Sequence, residues 1–216
     1  DVNERAGADL HTPLTRLFSE HGGAGRGLNP NFPEETFFKV AEVLLEKGAL
    51  PDASDGFQGL TPLMHCRRFP RGVEFLLARG ASPDITDQAG RSALLRFSAP
   101  SDNTGVGSIG RESLPGIDLL IAGGADRSIK DSEGRNFLYN LVIQIAGFPY
   151  RGEVGEFLGR LFGLAAEELA AGREIEGGVA ASGILLPSIK SALYLTALSM
   201  LNEKDKELRA ELDKKL

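Results

Sequence analysis

Val73-Glu74-Phe75-Leu76-Leu77-Ala78-Arg79-Gly80-Ala81 decides how this chain is read, because its pattern occurs three times. The other copies are Ala41-Glu42-Val43-Leu44-Leu45-Glu46-Lys47-Gly48-Ala49 and Ile117-Asp118-Leu119-Leu120-Ile121-Ala122-Gly123-Gly124-Ala125. Each reads as a short amphipathic helix that stops at a glycine, the residue that most easily takes the left-handed conformation ending a helix. Lys47 and Arg79 stand just before that glycine, where the negative end of the helix dipole favours a cation.

Upstream of these stretches, and once beyond them, lies a second kind of helix opening: Thr12-Pro13-Leu14, Thr61-Pro62-Leu63, Ser92-Ala93-Leu94 and Asn136-Phe137-Leu138. Thr, Ser and Asn cap free amides at a helix start, and proline fits the first turn. Between a Gly-Ala pair and the next opening come Asp55-Gly56-Phe57-Gln58-Gly59, Asp87-Gln88-Ala89-Gly90 and Asp131-Ser132-Glu133-Gly134, the composition of tight reversals. The order is therefore turn, helix, helix, turn. Gly48 to Gly80 is a step of 32 residues, and Thr61 to Ser92 one of 31.

This combination resembles the ankyrin repeat family, whose unit is a β-turn finger followed by two antiparallel helices with a period of about 33 residues. The resemblance covers roughly residues 1 to 162. It implies an all-α ankyrin-repeat solenoid of about four repeats, at approximately 1–50, 51–82, 83–126 and 127–163, with a C-terminal helical extension or cap over 164–216. Asp1-Val2-Asn3 looks like the tail that follows Gly-Ala in such repeats, so the natural protein is expected to start earlier. Where the family usually places a histidine after Thr-Pro-Leu, this chain has Thr15, Met64, Leu95 and Tyr139. Packing is then expected to carry more of the stack than hydrogen bonds through that imidazole.

Two of the four units are stretched between their helices. Thr61 to Gly80 spans 19 residues, but Thr12 to Gly48 spans 36 and Ser92 to Gly124 spans 32. Part of the first insertion lengthens the second helix, with Asn31 as its cap and Pro33, Glu34 and Glu35 in its first turn, leaving His21 to Pro30 as a loop. Both insertions fall at the same place in the unit, so they are expected to project from one edge as a rim. The fourth unit does not end in Gly-Ala and reads as the capping repeat. Beyond it, Leu164 to Ala171 reads as a short helix, Gly172 to Gly183 as a link and Pro187 to Leu216 as a long helix.

Composition narrows the function. With 30 acidic against 24 basic side chains, the formal charge of −6 disfavours direct binding to nucleic acid or an anionic membrane surface. The most apolar late stretch, Gly183 to Leu201, is broken by Pro187, Ser188 and Lys190, so no membrane span is expected. A single cysteine, Cys66, forms no internal disulfide; this suits a reducing compartment without assigning one, and cytoplasm is the default.

No chemistry-bearing constellation stands out. Gly105-Val106-Gly107-Ser108-Ile109-Gly110 matches a dinucleotide fingerprint by letter, yet Pro100 to Thr104 precede it and Leu114-Pro115 follow, where a buried strand and a helix would be needed. It reads as a flexible insertion loop, as does Gly22-Gly23-Ala24-Gly25-Arg26-Gly27. His11, His21 and His65 are scattered, with His11 a turn residue. Cys66 adjoins His65 without forming a dyad, and it reads as a small buried hydrophobe where the family usually has alanine. Neither an enzyme nor a metal or cofactor site is expected.

The informative side chains lie four residues after each opening: Arg16, His65, Arg96 and Asn140. By the ankyrin resemblance this position looks across the concave face, so stacking would line them into a polar, partly cationic stripe. Arg67 and Arg68 add charge nearby, and Phe57, Gln58, Arg91, Arg127, Lys130 and Arg135 of the fingers border the same groove. Guanidinium groups grip carboxylates bidentately, and an exposed aromatic anchors an interface. The expectation is a monomeric protein-binding module for an acidic partner surface, serving as an adaptor or as an inhibitor or immunity-type protein. The projecting loops favour the inhibitor, since they suit entry into clefts. A regulatory ankyrin domain of a larger transcription or signalling protein is the alternative.

Overall fold

The computed structural model describes residues 1–8, 10–22, 33–99, 113–146 and 155–173, and among these it is helical without strands. Its α-helices are α1 (Pro13–Gly22), α2 (Glu34–Glu46), α3 (Pro70–Ala78), α4 (Ala93–Ser98), α5 (Leu114–Ala122), α6 (Phe137–Ala146) and α7 (Gly155–Ala170). One 3-10 turn, Leu63–Cys66, stands where the first helix of the second pair is expected. The shortening has a local cause. Pro70 supplies no N–H and drives the residue before it out of the helical region, and Phe69 accordingly lies at φ −130°, ψ 74°.

The openings behave as their residue types dictate. The side-chain oxygens of Thr12, Thr61, Ser92 and Asn136 accept hydrogen bonds from the backbone N–H three residues on, at 3.2, 3.4, 3.4 and 2.9 Å. The stops are equally regular. Gly48, Gly80 and Gly124 take φ of 89°, 82° and 84°. Each donates to the carbonyl three residues back, and the following alanine N–H reaches the carbonyl five residues back. That is the paired closure of a left-handed helix end.

The chain divides into two compact bodies, one of Asp1–Phe97 with Gly110–Ser132, the other of Ser98–Ile109 with Glu133–Leu216. In the first body α1 packs on α2 and on the 3-10 turn, the turn on α3, and α3 on α5. Leu14, Phe18, Phe37, Ala41, Leu63, Cys66, Val73, Leu76, Phe97, Ile117 and Leu120 are sealed from solvent. Phe37 is edge-on to Phe18, Phe38 and Phe69 at centroid distances of 5.0 to 5.3 Å. Gly72 and Gly116 let helix backbone approach these rings: a Cβ at Gly72 would stand 2.4 Å from Phe69 Cδ1, and one at Gly116 3.0 Å from Phe97.

Backbone hydrogen bonds join successive fingers. The N–H of Gly56 donates to Leu10 O (3.1 Å), that of Gln88 to Gln58 O (3.0 Å) and that of Ser132 to Ala89 O (2.8 Å). A second series runs behind it. Asn3, Asp52 and Asp84 accept, on a side-chain oxygen, the N–H of Leu50, Ser82 and Asp126, each just after a Gly-Ala pair. Asn3 thus performs the task of Asp52 and Asp84. At Thr15 a hydrogen bond supplements the packing expected in place of the missing imidazole, since its hydroxyl donates to Ala53 O at 2.7 Å.

In the second body α6 packs against α7 through a core that includes Leu138, Leu141, Leu161, Leu164 and Ala165. The separate helix expected over 164–171 is instead the C-terminal half of α7, and the expected boundary at 163/164 falls inside it. Gly159 and Gly163 cost such a helix about 1 kcal/mol each, less than burial of its leucines returns. α7 ends at Gly172, φ 76°, in the same kind of glycine stop as the earlier helices, without the alanine after it. Of the expected loop His21 to Pro30, His21 and Gly22 instead complete α1. Positions 23–30, the expected Asn31 cap, positions 100–112 with the Gly105–Gly110 motif, and the helix expected over Pro187 to Leu216 lie outside the described residues.

Candidate protein-binding surface

The expected stripe begins at Arg16, whose side chain is half exposed and paired on its own helix with Glu20. His65, one unit on, is largely buried. Arg96 is held by Asp87, its Nη1 2.7 Å from Oδ2. Arg91 Nε approaches the same oxygen at 3.0 Å, while Asp87 Oδ1 accepts the backbone N–H of Ala89 and Arg91 at 2.9 Å each. Burial opposes the ionised form of Asp87. The hydrogen bonds and charges of Arg91 and Arg96 outweigh it, and the carboxyl stays below its ordinary range. Asn140, in the second body, is buried and donates from Nδ2 to Ser98 Oγ at 3.1 Å.

Asp55 is the counterpart of Asp87 in the preceding finger. Its Oδ1 accepts the backbone N–H of Phe57, Gln58 and Gly59 at 3.1, 2.7 and 2.8 Å, which fixes the finger tip. On that tip Phe57 is 64% exposed, the most exposed large apolar side chain among the described residues, with Gln58 exposed beside it. Arg68 and Lys130 are exposed as well, whereas Arg67, Arg91, Arg127 and Arg135 are partly covered. Arg135 also reaches Glu133 at 3.0 Å. Much of the cationic charge read from the sequence is therefore answered locally by carboxylates.

The other oxygen of Asp55 has a different environment. His11 Nε2 lies 3.8 Å and His65 Nε2 4.0 Å from Asp55 Oδ2, and the two rings meet edge-on at 5.8 Å. His65 Nε2 is buried without a hydrogen-bond partner. Burial and the nearby His11 pull the His65 pKa down to about 4, with Asp55 opposing and Arg96 assisting. Sequence reasoning missed this cluster, because His11 belongs to the first finger while Asp55 and His65 belong to the second unit. The legible signal was a column one: His11 stands directly before a helix opening, as Arg91 and Arg135 do, on the finger beside the one that Asp55 caps. Cys66 is fully buried as expected; burial raises its thiol well above the ordinary value, and its Sγ contacts Pro62 O at 3.4 Å.

The ankyrin repeat family model matches residues 58–88, from the tip of the Asp55 finger through the 3-10 turn and α3 to the next finger. The chain therefore contains an ankyrin repeat, a class of unit whose usual role is to bind other proteins. No curated protein matches the chain.

Proposed function

We propose that this chain is a non-catalytic protein-binding module: an ankyrin solenoid of four repeats, closed by a C-terminal cap, that engages an acidic surface on another protein. The contact would use its concave face, finger tips and insertion loops, and the module would act as an adaptor or as an inhibitor of an enzyme. The observation that carries this reading is Phe57, an aromatic ring held in solvent on a finger locked by three hydrogen bonds. A pre-ordered aromatic loses little conformational freedom on binding and suits an interface anchor. Arg16, Arg68 and Lys130 supply exposed positive charge.

A photo-crosslinking residue placed at position 57, and in a separate protein at Val43 on the exposed side of α2, tests the reading in source cells. The position-57 probe is expected to capture one discrete protein that the position-43 probe does not. With that protein purified, Phe57→Ala should weaken binding by about 30-fold, and raised salt should weaken it further. Capture at both positions alike, or unchanged affinity of Phe57→Ala, would place binding elsewhere on the molecule.

A further inference from the structure

His11, Asp55 and His65 are the one group of three metal-ligating side chains that converge among the described residues, and their ligand atoms all lie within 4.8 Å of one another. Each offers one atom to the space between them. Ser19 Oγ, which donates to Arg16 O at 2.9 Å, lies 3.3 Å from His11 Nδ1. A His11 ring protonated on Nδ1 donates to Ser19 and keeps Nε2, 3.8 Å from Asp55 Oδ2, available as a ligand atom. Asp55 Oδ1 is taken up by three backbone N–H groups, leaving Oδ2 toward the imidazoles. His65 Nε2, buried and unpartnered, completes the triangle.

The next finger shows what such an oxygen ordinarily meets in this protein. Asp87 Oδ2 lies between the guanidiniums of Arg91 and Arg96. Asp55 Oδ2 faces two imidazoles instead, both beyond hydrogen-bonding distance. Arg96 lies close enough to influence His65, yet its guanidinium is committed to Asp87. An electron-rich pocket of this kind favours a cation between its three donors. Two imidazoles and one carboxylate suit zinc and its first-row neighbours, whereas calcium and magnesium prefer oxygen alone. Ligands of one zinc ion at ~2.0–2.1 Å stand about 3.3 Å apart, so modest side-chain rotation closes the observed spacing. The Ser19 contact resembles the outer-shell bond that commonly orients a metal-bound histidine.

We propose that His11 Nε2, Asp55 Oδ2 and His65 Nε2 form a binding site for a divalent transition-metal ion of the zinc class. The ion ties the first finger to the second unit and leaves its fourth coordination position to water. This site stands independently of the protein-binding reading.

Tag-free, chelator-treated full chain titrated with zinc in a calorimeter, and with cobalt(II) followed by its visible ligand-field bands, tests the site. One ion per chain is expected, bound more tightly than about 100 µM. In long-range imidazole nitrogen spectra of the unmutated protein, Nε2 of both His11 and His65 should shift on zinc addition. His11→Ala, His65→Ala and Asp55→Asn, each confirmed folded by circular dichroism, should weaken binding by about tenfold or more. Asp55→Asn keeps the Oδ1 acceptor for the finger and removes only the ligand oxygen. His21→Ala should bind as the native chain does. Absence of binding below that concentration, unshifted His11 and His65 nitrogens, or equal affinity in the His11, His65 and His21 variants would overturn the site.

Discussion

Leu10 carries the most conspicuous backbone cost among the described residues, a φ of 51° in the column where the later fingers place Gly59, Gly90 and Gly134. A branched side chain in the left-handed region costs about 1–2 kcal/mol, and Leu10 is 46% exposed, so little packing offsets it. Leu10→Gly is expected to raise stability by about 1 kcal/mol in urea denaturation; a loss would show that the Leu10 contact with Gly56 outweighs the strain. Asp87 is the opposite case, a buried carboxylate matched by two guanidiniums. Asp87→Asn should cost about 3 kcal/mol at neutral pH, because both arginines lose their counter-charge. The native carboxyl titrates below its ordinary range, so its contribution is complete above about pH 5, shrinks as the unfolded carboxyl takes up its proton near about pH 4, and disappears as pH falls through the native value. The gap between native and variant, measured by acid titration of denaturation midpoints, should therefore narrow at low pH and stay constant above about pH 5. At this scale the caps and glycine stops were legible, since each is dictated by one residue's own chemistry. The His11, Asp55 and His65 cluster was not, because His11 lies 44 positions before Asp55 and meets it only through the register of neighbouring fingers.

The second helix pair shows how far a repeat bends to local chemistry. The Phe69-Pro70 step is a helix boundary, and the helix expected from Thr61-Pro62-Leu63 is only the 3-10 turn Leu63–Cys66. Gly72 compensates by letting α3 lie directly against that turn. Its missing Cβ leaves room for the Phe69 ring, with Cys66 Sγ 3.0 Å from where that carbon would be. Gly72→Ala is a helix-favouring change by propensity, worth up to about 1 kcal/mol on an open surface. Here it should instead destabilise by about 1–3 kcal/mol, read from the thermal midpoint, because neither the ring nor the sulfur has space to retreat. A neutral result would mean that Phe69 can repack. α7 shows the reverse: it runs unbroken through Gly159 and Gly163, with Leu161, Leu164 and Leu169 buried along it.

Across the molecule, the repeating order of turn, helix and helix was visible in the sequence because it rests on punctuation by glycine, proline and capping residues. The aromatic clustering was harder to foresee. Phe18, Phe37, Phe38, Phe69 and Phe75 come from four segments, and only packing brings them into one set of ring contacts. Phe37 lies at its centre, fully buried. Phe37→Ala should cost about 3–5 kcal/mol in denaturant unfolding, and a smaller loss would mean that the neighbouring rings close the void. The finger-to-finger bonds at Gly56, Gln88 and Ser132 carry a mechanical consequence. Among the described residues of the first body each of these rungs joins one finger to the next, so tension along the series loads them one after another. An optical trap pulling on this chain should record a sawtooth of small, similar releases from the first body, and on slackening the rungs should re-zip one at a time, returning much of the work like a spring.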